Sequence, residues 1–130
     1  MTRIFFVLSA YPREACGDTA ILIDIMNAVN YSSQMITIRQ TDVFRSWLRE
    51  LRDRRAVARI AIRIDRLAHG NAGDVRPVGA GVSELRIDYG PGYRVYFVRR
   101  QREVVILLCG GDKSSQATDI ARALNLVNEV

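Results

Sequence analysis

A chain of 130 residues with 48% hydrophobic and 25% charged content has the size and composition of one globular domain, which excludes fibrous and low-complexity classes. Two cysteines, Cys16 and Cys109, are too few and too scattered for a disulfide framework or a zinc site, and no apolar run approaches the roughly 20 residues that span a bilayer. The formal net charge of +5 is uneven, with two basic and three acidic groups in residues 1–34 against 17 basic and 11 acidic groups in residues 35–130. A basic domain is the electrostatic footprint of a polyanionic partner.

Residues 1–34 stand apart. The apolar run 4–8 breaks at Tyr11-Pro12 and is too short for a secretory signal, which needs about 7–15 apolar residues and a small-residue cleavage site. Asp18 is placed to cap a helix carrying Ile21, Ile25, Met26 and Val29 on one side. Residues 1–34 are read either as an N-terminal extension or as sequence upstream of a start at Met35, and residues 35–130 as the functional domain.

From Met35, Ile36-Thr37-Ile38 reads as a short strand, and Thr41 or Asp42 caps a helix with Val43, Phe44, Trp47, Leu48 and Leu51 along an apolar arc. Arg45, Arg49 and Arg52 fall opposite. The chain breaks at Asp53-Arg54-Arg55. A second helix, 55–69, buries Val57, Ile60, Ala61, Ile64, Leu67 and Ala68, with Arg55, Arg59, Arg63 and Arg66 along its far side until Gly70-Asn71-Ala72-Gly73 stops it. Of the 19 Lys and Arg residues 18 are arginine, with Lys113 the exception, and arginine suits bidentate phosphate contacts. A solvated face accounts for one arginine stripe. Two on consecutive helices, with few acids among them, point to a nucleic-acid or ribosome surface that would include Arg59 and Arg63.

Residues 75–78 read as an edge strand because Pro77 cannot sit centrally. The run 82–89 alternates, with Glu84, Arg86 and Asp88 opposite Leu85, Ile87 and Tyr89. Gly90-Pro91-Gly92 turns the chain. The run 93–99 places Val95 and Phe97 on one face and Arg94, Tyr96 and Val98 on the other. The run 104–109 is apolar throughout, as a strand covered on both sides would be. The expected meander has one apolar face and one face bearing Glu84, Arg86 and Arg94. Ser114 or Ser115 caps a last helix with Ile120, Ala121, Leu124 and Val127 on one side. The fold class is therefore α+β: a helical hairpin on a twisted, mostly antiparallel sheet of four to five strands, then a short C-terminal helix.

The strings GVSELR, IDYGPGYRVYF and GGDKSSQ, within a resemblance covering residues 35–126, resemble the addiction-module killer proteins, HigB-like members of the RelE/ParE toxin superfamily. The resemblance implies the toxin of a type II toxin–antitoxin pair, an mRNA interferase cutting translated mRNA on the ribosome. Its partners would be a helix-turn-helix antitoxin, the ribosome and mRNA, with operator DNA bound only through the antitoxin complex. The implied setting is cytoplasmic, with no membrane association, no cofactor and no metal. The superfamily also contains gyrase-poisoning toxins, and a non-catalytic RNA- or protein-binding module on the same fold stays open.

In the RNA-cleaving relatives the arginine of the segment matching Tyr93–Tyr96 contacts the scissile phosphate, which implies that role for Arg94. Related toxins place a basic catalytic group just after the third strand, where Lys113 stands beside a helix N-terminus. Glu84 is either a general base or the group that orients Arg86 and Arg94. Arg76 and Arg86 are candidates for phosphate or base contacts, and Tyr96 for stacking a base. Several relatives use a tyrosine or histidine in the C-terminal segment, and this chain has neither after Cys109.

Overall fold

The computed structural model describes the backbone of the strand Ile4–Phe6 and all of residues 36–130. The helix expected from Asp18 lies outside the described residues. From Thr37 the chain runs β2 (Thr37–Thr41), α1 (Asp42–Glu50), α2 (Arg54–Ala68), β3 (Val75–Gly79), β4 (Val82–Ile87), β5 (Tyr93–Arg100), β6 (Val104–Asp112) and α3 (Gln116–Leu126), with β1 (Ile4–Phe6) before it. Single-turn 3₁₀ helices flank α3 at Lys113–Ser115 and Val127–Glu129.

Local chemistry sets these boundaries. The Thr41 side chain accepts from the Phe44 amide at 3.1 Å and caps α1. Asp53 accepts from the amides of Arg55 and Ala56 and caps α2, so the break is the three-residue junction 51–53, and Arg54 and Arg55 already belong to the helix. The last helix starts differently from the sequence expectation. Asp112, not a serine, caps the 3₁₀ turn through the Ser114 amide, and α3 grows from that turn without a side-chain cap of its own.

Strand order is β1-β2-β6-β5-β4-β3. The pairs from β3 to β6 are antiparallel, β2 runs parallel to β6, and β1 lies antiparallel to β2, so the sheet is mixed. The chain leaves β2, crosses one face through α1 and α2, and reaches the far edge at β3. It then meanders back until β6 lies beside β2.

Both faces of the sheet are covered. Phe44 and Leu48 of α1 and Val57, Ile60, Ile64 and Leu67 of α2 pack on Leu85, Ile87, Val95, Phe97, Val105 and Leu107. Beneath the opposite face Ala123, Leu126 and Val127 pack on Val82, Tyr96, Val98, Ile106, Leu108 and Cys109. This explains why 104–109 is apolar at every position. It also corrects the expectation of one apolar and one charged face: α3 turns half of the charged face into a second core, and Glu84, Arg94 and Tyr96 are buried at its border.

The end of β6 departs from the sequence expectation too, because the strand continues three residues past Cys109. A Cβ at Gly110 would lie 2.3 Å from the Trp47 ring, and one at Gly111 would lie 1.8 Å from the Asp119 carboxylate. Two glycines let Trp47 and Asp119 close on opposite faces of one strand.

Candidate functional site

The site is laid out by strand register. Arg76 on β3 faces Glu84 on β4, which faces Tyr96 on β5; in the next row Arg86 faces Arg94, which faces Gly111 on β6. Register partners share a face, so the sheet itself brings Arg76, Glu84, Arg86, Arg94 and Tyr96 to the α3 side. The first turn of α3 adds Gln116 and Asp119.

Glu84 is the polar centre, at 1% exposure. Its Oε2 accepts from the Tyr96 hydroxyl and from Gln116 Nε2, both at 2.8 Å. Its Oε1 faces Arg94 Nη1 at 3.9 Å, an ion pair too long to be a hydrogen bond. Burial first, then the bond to Glu84, push the Tyr96 phenol far above its ordinary range, so it stays a neutral donor. Its ring is fully enclosed and offers no face for a base.

Arg94 is 8% exposed, and its Nε has no hydrogen-bond partner. Arg86 is half-buried, its Nε likewise lacks a hydrogen bond, and the Asp74 carboxylate stands 3.7 Å away. Two guanidinium groups on directly opposed residues repel, and a buried donor without an acceptor is costly. An anion seated between them would relieve both.

Lys113 is exposed and follows Gly111, the register partner of Arg94, by two residues. A Cβ at Gly92 would lie 3.6 Å from Lys113 Cβ, which places the lysine against the Gly90-Pro91-Gly92 turn. Arg76 is exposed on the edge strand. These two charges flank the Arg86–Arg94 pair.

Arg59 and Arg63 lie elsewhere, on α2 over the opposite face. Arg59 is exposed and stacks over the Tyr89 ring at 4.7 Å. Tyr89 in turn donates to Asp53 at 3.0 Å, tying the β4–β5 turn to the start of α2. Arg63 is half-buried and donates to the carbonyls of Arg86, Ala72 (3.0 Å) and Asp74 (3.3 Å). Burial is the main influence lowering its pKa. Arg63 thus clamps the segment before β3 onto β4.

Gln116 and Asp74 are members of the site that sequence reasoning missed. Gln116 meets Glu84 across 32 residues of chain, and a glutamine in a first helical turn carries no signal of such a contact. Cys109 is a core residue whose thiol burial pushes up to about 12, with Asp119 adding to the effect. Among the described residues no cluster of His, Cys, Asp and Glu could hold a metal ion, and no helix is long and apolar enough to cross a membrane.

The fold is that of an α+β domain with a mixed sheet, in which the buried Arg94 and the half-buried Arg86 stand opposed beside the C-terminal helix. The pattern of the phage-derived Gp49-like protein family (DUF891) matches residues 46–127, and the chain belongs to that family, which sits within the RelE/ParE-like toxin superfamily. An uncharacterised protein of Haemophilus influenzae is 52% identical over 95 residues, covering 73% of this chain and 96% of the relative. No solved structure matches.

Proposed function

We propose that the protein is the toxin of a toxin–antitoxin pair and that it inhibits translation by cutting mRNA on the ribosome. Family membership supports the toxin reading. The observation that carries the chemistry is Arg94: nine-tenths buried, held in the sheet, with its Nε unpartnered. RNA cleavage by the 2′-hydroxyl accumulates charge on the phosphorane oxygens, and a fixed guanidinium meets that charge without reorganising. In this reading Arg94 binds the scissile phosphate with Arg86 beside it, Lys113 approaches from the loop after β6, and Arg76 contacts a neighbouring phosphate. The solvent-facing Arg59 contributes at most to long-range attraction of the polyanion.

The partner in this reading is an antitoxin of helix-turn-helix type that covers the arginine surface with acidic and apolar groups. The toxin would reach operator DNA only through that complex. Because the chain has neither tyrosine nor histidine after Cys109, a gyrase-inhibiting toxin is the second reading, since it needs no general acid. The discriminating experiment is primer extension on mRNA engaged by translating ribosomes beside a gyrase supercoiling assay. Cuts within translated codons support the nuclease; stalled gyrase without cuts replaces it.

A further inference from the structure

We propose that Gln116 and Tyr96 are positioning residues that hold the Glu84 carboxylate off Arg94, so that the arginine keeps its donors free for a phosphate. The inference rests on the reading of Arg94 as the phosphate group and adds how it is kept available.

A buried carboxylate beside a buried guanidinium ordinarily closes into a bidentate pair, with two N–H groups donating to two oxygens. That pair is absent. The separation is 3.9 Å, and Arg94 Nε is left without a partner. The cause is visible on the far side of the carboxylate. Both neutral donors, the Tyr96 hydroxyl and Gln116 Nε2, converge on the same oxygen at 2.8 Å. The terminal torsion of a glutamate is soft, so two donors on Oε2 select one rotation and draw the group away from Arg94. The two donors come from different layers. Tyr96 stands two residues beyond Arg94 on β5, whereas Gln116 is the first residue of α3. Glu84 is close enough to offset the charge of Arg94 and held too far to occupy it.

If the donors are removed, the carboxylate is freed to rotate toward Arg94 and occupy its N–H groups. Gln116→Ala does this at a half-buried position on which the core does not depend, and Tyr96→Phe does it by deleting one hydroxyl. The first measurement is the Nε–Hε NMR signal of Arg94 during titration with inorganic phosphate. In the wild type the signal should move as phosphate binds. In each variant it should start at the shift of a carboxylate-bonded guanidinium. Phosphate affinity should fall about tenfold or more, the scale of one charge-assisted hydrogen bond. Adding Glu84→Gln to Gln116→Ala removes the charge that competes with phosphate and should restore affinity, which a merely structural role would not do. Unchanged Arg94 signals and unchanged phosphate affinity in a folded Gln116→Ala variant would overturn the proposal, as would a wild type whose Arg94 signal ignores phosphate. Cutting of translated mRNA is measured separately: a wild type that seats phosphate at Arg94 but cuts nothing refutes the nuclease reading and leaves this one standing.

Discussion

Gly110→Ala tests the packing that shapes the end of β6. The new methyl would lie 2.3, 2.4 and 2.7 Å from three atoms of the Trp47 ring. Carbon atoms in contact sit about 3.5–4.0 Å apart, so the ring must retreat by more than about 1 Å. Trp47 cannot do so freely, because it packs 5.7 Å from the Phe44 ring and edge-on 6.3 Å from Tyr93. Overpacking of this kind costs about 1–3 kcal/mol. For a domain of this size each kcal/mol moves the melting temperature by about 3–5 °C, so the expected loss is about 3–15 °C. The assay is thermal and urea unfolding of wild type, Gly110→Ala, Trp47→Ala and the double variant. In the Trp47→Ala background the methyl meets no ring, and its cost should largely vanish. An equal cost in both backgrounds, or no cost in either, would refute the reasoning.

Arg63→Ala should destabilise the domain by about 2 kcal/mol through loss of its bonds to the Arg86, Ala72 and Asp74 carbonyls; urea unfolding reads this, and an unchanged midpoint would return Arg63 to the solvated face. Asp65 is buried, its Oδ2 has no hydrogen bond and lies 3.8 Å from His69 Nδ1, and burial raises its carboxyl above the ordinary range, with His69 opposing. The folded state therefore holds the proton more tightly than the unfolded chain, so stability falls as pH rises from about 4 through the raised value, and Asp65→Asn should remove that fall in a pH series of melts. A chain beginning at Met35 should fold and keep its activity, because the family pattern spans residues 46–127, although it would leave the β1 edge of β2 unpaired. Its melt and growth inhibition are compared with those of the full chain, and insolubility would show that residues 1–34 belong to the core.

The parts of the fold governed by local periodicity are legible in the amino-acid sequence. The 3.6-residue spacing of Val57, Ile60, Ala61, Ile64, Leu67 and Ala68 marks the buried side of α2, and every one of those residues is buried. The alternation of Leu85 and Ile87 with Glu84 and Arg86 places the two charges on one face, and the register keeps them there. Contacts between distant segments are not legible in this way. That α3 roofs Glu84 depends on Gln116 reaching across the sheet. That Arg63 bends back onto carbonyls, while Arg59 stays over Tyr89, depends on the path of residues 70–74. Both arginines occupy the same helical stripe, so no spacing rule separates them. Gly110-Gly111 reads as the end of a strand because glycine weakens strands. Here the pair continues the strand, because Trp47 and Asp119 need the room.

The central claim is that Arg94 acts on the scissile phosphate, and the most direct test is the cutting rate of Arg94→Ala on translated mRNA, with its melt measured alongside. Removing one pre-organised charge from a phosphorane typically costs about two to three decades of rate. The account predicts a loss of that size in a variant that is still folded at the assay temperature, although the melt falls because Glu84 loses its buried ion-pair partner. Cutting by Arg94→Ala within a few-fold of the wild-type rate would contradict it.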